Sequence, residues 1–354
     1  MESKIHQISK SVYAVIGPEG ATNFGIVKAT DGSAVLVDAD IRRIDEVEEA
    51  LRFTGCAKVG YLVNTHEHFD HTSANYFFEQ RGVPIVASAG CVRAMREEGE
   101  PDFARMLRPV SELYERFPGL RLTLPDVVFP DSTTLTLPGI TLHLKYCAEN
   151  GHSHSKGDTT IYFEEEEILI AGDLLYTEVH PVTFFGNIPN WLTALKPLFQ
   201  SHYKQLVPGH GPAVEGEQAG RAYFKRMYDY LEDFYGHLLE VKSGQKSADE
   251  VASHMLSGPY ATLGKTRMVQ RNINQFLTGR WYSMQLSLTQ RKIAGLIRMI
   301  PEHLQNPPLS SFKKGGISCT QFIILRRSHD VTPLLKKGVR GDLDKDALKP
   351  LCST

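Results

Sequence analysis

Residues 64–71 read NTHEHFDH, and within them His66, Glu67, His68, Asp70 and His71 set three imidazoles and two carboxyl groups into six consecutive positions. Burying that many titratable groups without partners is costly, whereas a divalent cation satisfies them together. The stretch follows the short apolar run KVGYLV (58–63), so it reads as a polar turn at the carboxyl end of a buried strand. Histidines two apart in such a turn can point the same way, and Asp70 with His71 can face a second point. Imidazole and carboxylate are the donors that borderline cations such as zinc take. One turn supplies only part of a dinuclear shell, so the remaining ligands must come from elsewhere in the chain.

Three later turns offer them. GHSHSKGD (151–158) carries His152, His154 and Asp158, AGDLLY (171–176) carries Asp173, and VPGHG (207–211) carries His210 between two glycines. Each places an ionisable residue just beyond a strand-like run. In layered α/β sheets the carboxyl ends of strands gather at one edge, where ligands bind. Glycines beside the ligands let the backbone approach closely and take unusual dihedrals.

The surrounding chain alternates strand and helix patterns. SVYAVIG (11–17) and NFGIVKATDGSAVLVDAD (23–40) read as strands with Asp31-Gly32 as a hairpin turn. RRIDEVEEALRFTG (42–55) is a helix with Ile44, Val47 and Leu51 on one face and Gly55 at its stop. SANYFFEQRG (73–82) reads as a helix, VPIVAS (83–88) as the next strand, and residues 90–116 as charged helix. Strands return at 127–147 and 159–176, the latter interrupted by Glu164–Glu167, a solvated hairpin turn. This order predicts an α/β layered core. Beyond residue 215, Phe224, Met227, Tyr228, Leu231, Phe234, Tyr235 and Leu238 recur at helical spacing and pack either on the core or on a second copy of the chain, which leaves a homodimer open. Residues 301–354 hold nine Lys/Arg against five Asp/Glu, a surplus of four, with many Pro, Gly and Ser, and read as a loosely ordered basic tail in which TQFIILRR could form one strand.

Composition excludes several classes. A net charge of −2 over 354 residues provides no global field for nucleic acid or an anionic membrane. Cys56, Cys91, Cys147, Cys319 and Cys352 are odd in number, widely spaced and without a CxxC pair, which reads as free thiols in a reducing compartment. The first residues lack the apolar core of a signal peptide, and no apolar run approaches a membrane span, so the expected location is cytoplasmic.

THEHFDH (65–71), HSKGD (154–158), AGD (171–173) and PGHG (208–211), in this order, resemble the metal-binding motifs of the metallo-β-lactamase-fold hydrolase superfamily over residues 8–215. The resemblance implies an α/β fold, a four-layer αββα sandwich with a dinuclear metal site at one edge of its sheets. It implies a catalytic domain at 1–215, followed by a helical C-terminal region at 216–300 and the tail at 301–354. Carried over residue by residue, His66, His68 and His154 match the ligands of one metal, Asp70, His71 and His210 those of the other, and Asp173 the carboxylate that bridges them. His154 rather than His152 has the family's spacing to the Asp of HSKGD. Two zinc ions are the implied cofactors, with iron or manganese as alternatives.

Two such ions share a water, lower its pKa toward neutrality, and let the bridging hydroxide attack a carbonyl or phosphoryl centre. No protein nucleophile is then needed, and Asp70 doubles as ligand and proton acceptor. The bridging carboxylate at Asp173 resembles glyoxalase-II-like and lactonase-like general hydrolases more than β-lactamases. DHTSAN (70–75) lacks the double glycine often found at this point in glyoxalase-II-like members. The implied activity is hydrolysis of a small-molecule ester, lactone or thioester, with a β-lactam hydrolase or a mononuclear iron persulfide-type dioxygenase as the alternatives. A small molecule is the expected partner, with neither nucleic acid nor membrane. Tyr176 could donate to a developing oxyanion and His180 could line the pocket, with Phe184, Phe185 and Trp191 as an apolar wall. GPEG (17–20) reads as a turn that could overhang the site, Asn23 as a turn residue and Glu67 as an exposed acid.

Overall fold

The computed structural model describes residues 4–148, 151–278 and 323–324. Seven strands open the chain: β1 (Lys4–Gln7), β2 (Val12–Ile16), β3 (Phe24–Lys28), β4 (Ser33–Val37), β5 (Lys58–Val63), β6 (Ile85–Ser88) and β7 (Val127–Phe129). They form one sheet in sequence order, antiparallel from β1 to β4 and parallel from β4 to β7. Parallel pairing requires crossovers, and these are α1 (Ile44–Phe53), α2 (Phe69–Thr72) with α3 (Asn75–Glu79), and α4 (Ala89–Leu107) with α5 (Glu112–Arg116). A second sheet holds β8 (Ser132–Leu137), β9 (Ile140–Tyr146), β10 (Thr159–Phe163), β11 (Ile168–Tyr176), β12 (Gln205–His210) and β13 (Val214–Glu215), in reverse sequence order across the sheet. Only β11 and β12 run parallel there, joined through α6 (Ile188–Leu198). The expected hairpin turns are present: Gly32, at φ 81°, closes β3 onto β4, and Glu164–Glu167 joins β10 to β11.

Alternation along the strands sorts the core into layers. Val27, Val35 and Val63 of the first sheet and Leu142, Ile161, Ile170 and Val207 of the second meet between the sheets. Their neighbours Ile26, Leu36 and Leu62 face outward onto Ile44 and Val47 of α1 and Phe77 and Phe78 of α3. On the opposite side, Leu169 and Ala171 face Trp191 and Leu195 of α6. The result is the expected αββα sandwich. β11 is buried at all nine positions, as a strand covered on both faces should be, although Asp173 lies within it.

The C-terminal helices α7 (Glu217–Lys242), α8 (Ala248–Met255) and α9 (Arg267–Thr278) add to the outer layer of the second sheet. Phe224, Met227, Leu231, Phe234 and Leu238 of α7 share one apolar cluster with α6 and β11, so the stripe read at helical spacing packs on the core. β14 (Ile323–Ile324) pairs antiparallel with β7, within the TQFIILRR segment. The rest of the basic tail lies outside the described residues. Cys56, Cys91 and Cys147 are free thiols, and no helix among the described residues is long and apolar enough to cross a membrane.

Because Phe234 is fully buried under α6 and β11, Phe234→Ala should cost about 3–5 kcal/mol of stability in chemical denaturation. An unchanged midpoint would show that α7 is not part of the core.

Candidate metal centre

Four strand ends deliver the chemistry. β5 ends at Val63 and its turn carries His66 and His68, while the single turn of α2 presents Asp70 and His71. His154 comes from the loop between β9 and β10, Asp173 from within β11, and His210 from the end of β12. These residues gather into two groups, His66, His68, His154 and Asp173 in one and Asp70, His71 and His210 in the other, with the ligand atoms of each group within 4.8 Å of one another. All seven residues picked from the sequence are therefore together.

The donor atoms converge. His66 Nε2 lies 2.9 Å and His154 Nε2 3.1 Å from His68 Nδ1. Asp173 sits between the groups: Oδ2 is 3.3 Å from His154 Nε2 and 3.2 Å from His210 Nε2, and Oδ1 is 3.3 Å from His71 Nε2. His71 Nε2 and Asp173 Oδ1 are buried without a hydrogen-bond partner, the condition a cation would relieve. The donor set of five imidazoles and two carboxylates suits zinc or another borderline divalent ion, so the residues fit the metals that the motifs imply.

Electrostatics prepare the site. Burial, with neighbouring imidazoles, holds His66 and His154 well below the usual histidine range, hence neutral and able to coordinate. Burial acts against ionisation of Asp70 and Asp173, but His71 and His210 outweigh it and hold both carboxyls below their ordinary values. Burial likewise acts against a charged His71, and the carboxylates of Asp173, Asp38 and Asp70 overcome it and raise that ring well above its usual value.

A ring of supporting contacts aims the ligands, and most of it was not read from sequence. Asp38, just after β4 at φ 60°, accepts from His71 Nδ1 at 2.8 Å and from the Thr65 amide and hydroxyl, both at 2.7 Å. The signal that revealed Asp173, an acid at the end of an apolar strand, is also present at Asp38. Thr65 Oγ1 is 3.0 Å from His66 Nδ1, and the Thr22 hydroxyl donates to Asp70. His210 Nδ1 lies 2.8 Å from the Gly20 carbonyl oxygen, so the 17–20 turn fastens a ligand. Asn23 is more than a turn residue: its amide donates to the Pro208 and Gly211 carbonyls at 2.9 and 2.7 Å, tying that turn to the PGHG segment. The two glycines there have steric reasons. A Cβ on Gly209 would lie 1.9 Å from Asp173 Oδ1, and one on Gly211 would lie 1.8 Å from the Thr177 carbonyl oxygen.

Glu67 is not the exposed acid expected from sequence. It is half-buried, and Oε1 accepts from the Lys156 amide at 2.9 Å, clamping the first ligand turn to the His154 loop. Asp158 holds that loop from within, accepting from the Ser155 amide at 2.7 Å and from the Ser153 and Ser155 hydroxyls; burial and the charge of Glu67 push its carboxyl up to about 7. His152 turns away to the Phe185 carbonyl.

The residues expected from sequence to meet the substrate separate. The Tyr176 hydroxyl donates to Asp173, and its ring stacks on His210 at 4.9 Å. Burial and Asp173 keep that hydroxyl protonated. His180 is fully buried, with Nδ1 3.0 Å from the Tyr230 hydroxyl on α7. The Phe185 ring lies tilted against His68 with centroids 4.1 Å apart, and a cavity of about 280 Å³ opens there between Phe185, Phe103, Met95 and Leu122. Trp191 is buried edge-on against His154. A larger cavity, about 440 Å³ under α6, contains none of the seven ligands in its lining.

Two packed sheets between helices, with two His/Asp clusters at the strand ends, define a metal-dependent hydrolase of the metallo-β-lactamase type. The family model of the metallo-β-lactamase superfamily matches residues 17–210, more than half of the chain, and the protein belongs to that superfamily. A curated relative, the beta-lactamase-like protein 2 homolog of Caenorhabditis elegans, is 22% identical over 232 residues, covering 63% of this chain and 65% of the relative, just under two thirds of its length. A metallo-beta-lactamase from Pontibacter korlensis aligns with a TM-score of 0.52 at 20% identity, covering 64% of this chain and 99% of that one. The sec-alkylsulfatase Pisa1 from Pseudomonas sp. aligns at 0.56 and 17% identity, covering 79% of this chain and 50% of that one. At these identities the structural matches establish the fold alone.

Asp38→Ala should weaken metal binding about 10- to 100-fold in competition with a chromophoric chelator, because His71 loses its orienting partner; unchanged affinity would remove Asp38 from the site. A second expectation concerns pH. Burial lowers the pKa of His180 to about 4 from an ordinary 6.5, so between those values the unfolded chain binds a proton that the folded protein does not. Stability at this position therefore falls as pH drops through that window, and His180→Gln should flatten that part of the stability–pH curve.

Proposed function

We propose that the protein is a dinuclear zinc hydrolase acting on a small-molecule ester, lactone or thioester that carries an anionic group. The observation that carries the dinuclear reading is Asp173, whose two oxygens each lie within 3.3 Å of histidine nitrogens, with His154 from one cluster and His71 and His210 from the other. Bound there, two divalent ions would acidify a shared water and polarise the carbonyl oxygen of the substrate. The chain's own residues supply the rest. Asp70 is the ligand carboxylate open to solvent, 30% exposed against 3% for Asp173, and is placed to accept the proton of the attacking water. Tyr176 retains its proton at the hydroxyl beside Asp173 and steadies that carboxylate. Phe185 over His68 shields one side of the site from water.

The anionic preference rests on three cations beside the site that form no ion pair among the described residues. Lys265 Nζ lies 3.3 Å from His210 Nδ1, and its charge is felt by Asp70 and Asp173. Arg271 lies over Phe184 at 4.6 Å, and Phe184 in turn packs on Phe185. Arg267 adds repulsion to both Lys265 and Arg271, and among the described residues none of the three forms an ion pair. Asp70 and Asp173 attract Lys265 and Asp102 attracts Arg271, yet no carboxylate pairs directly with the group, and three like charges beside the site favour an anion arriving with the substrate. The alkylsulfatase among the structural relatives adds sulfate esters to carboxylate-bearing esters, lactones and thioesters as compounds to screen.

Zinc-loaded protein should hydrolyse a carboxylate-bearing ester faster than its neutral isostere. Lys265→Ala should raise KM for the anionic member about tenfold and leave the neutral one unchanged. Equal effects on both esters would remove the anion preference. No hydrolysis of any compound by protein shown to hold two ions would overturn the hydrolase assignment to this substrate class.

A further inference from the structure

A second constellation of metal-binding side chains lies in the helical layer, outside the seven ligands. Asp233 and His237 are one turn apart on α7, and His254 is in the last turn of α8, which packs against it. His254 Nε2 lies 2.8 Å from Asp233 Oδ2, and His237 Nε2 lies 3.3 Å from Asp233 Oδ1. The two imidazoles are edge to face with centroids 4.3 Å apart, and the three ligand atoms lie within 4.8 Å of one another. Two residues at i and i+4 necessarily share a helix face, so only the third ligand needs tertiary packing to bring it in.

The arrangement around His237 goes beyond proximity. Glu240 Oε2 lies 2.6 Å from His237 Nδ1, and Lys246 Nζ is 2.8 Å from the same carboxylate oxygen and 2.9 Å from His237 Nδ1. In the tautomer whose Nδ1–H donates to Glu240, Nε2 presents its lone pair toward Asp233 and His254. A carboxylate behind an imidazole is the usual support of a metal-ligating histidine, and the Lys246 ammonium balances the charge of that carboxylate. The three side chains are between 15% and 43% exposed, so an ion can enter and complete its shell with water.

We propose that Asp233, His237 and His254 form a third metal site, for a borderline divalent ion such as zinc, that staples α7 to α8. Two neutral imidazoles and one carboxylate suit zinc, cobalt or nickel and not magnesium or calcium, which prefer oxygen donors throughout. The bound ion replaces the His254–Asp233 hydrogen bond and the 3.3 Å His237–Asp233 contact with coordination by all three groups. Since α8 leads into the segment that carries Lys265 and into α9, the staple would fix the layer that carries the cations at the mouth of the active site.

The test is a count of zinc retained by the full chain after chelator treatment, zinc loading and desalting, compared with His254→Ala and His237→Gln. The wild type should hold one more zinc per chain than either variant, whatever the occupancy of the other seven ligands. Zinc should also raise the melting temperature of wild type more than that of the variants, while equal melting temperatures in chelator show that the variants fold. Glu240→Gln should weaken the additional ion about tenfold, an effect that a pair of surface histidines binding zinc by chance would not show. Equal zinc counts in wild type and both folded variants would overturn the third site, as would a wild-type excess unaffected by Glu240→Gln.

Discussion

The charge on Asp173 is the constraint around which the molecule is arranged. The carboxylate lies in the middle of a strand buried at every position, where an unpaired charge would cost several kcal/mol. It is tolerated because His71, His154 and His210 surround it within 3.3 Å and the Tyr176 hydroxyl donates to it. Those residues come from the turn after β5, the β9–β10 loop, β11 itself and the end of β12, so holding one carboxylate requires the carboxyl ends of strands from both sheets to meet. The layers of Val, Ile and Leu on either side supply the burial energy that keeps such a polar centre in place.

The supporting contacts show how this centre is kept in shape. Asp38 fixes His71 and Thr65, Glu67 joins two ligand loops, and Asn23 binds the 17–20 turn to the PGHG turn. Each satisfies backbone or imidazole groups that would otherwise be orphaned in the interior. The glycines at 209 and 211 are required because the backbone passes so close to Asp173 and Thr177 that no side chain fits. The site is thus rigid by construction on its inner side, whereas its mouth is lined by Phe184, Phe185 and cations from the helical extension.

Much of this was legible in the sequence because ligand residues follow strands and strands are apolar. His66, His68, Asp70, His71, His154, Asp173 and His210 each stand just past or within such a run, and alternating Val, Leu and Ile marked the two-sided sheets. Asp38 carried the same signal but, as a lone acid among ordinary residues, did not stand out. Glu67 and Asn23 carried none: their partners are backbone groups 89 and up to 188 residues away, and backbone leaves no imprint on side-chain pattern. The environments of Tyr176 and His180 were likewise set by packing. Tyr176 faces the buried carboxylate, while His180 belongs to the contact with α7 that the stripe on that helix creates.

The central claim is that Asp173 lies between two metal ions. Anomalous diffraction at the zinc edge from crystals of the zinc-loaded protein tests it most directly. Two peaks should flank the Asp173 carboxylate, one within bonding distance of His66, His68 and His154 and the other of Asp70, His71 and His210. A single peak that leaves either triad without an ion, or no peak at these residues, would contradict the account.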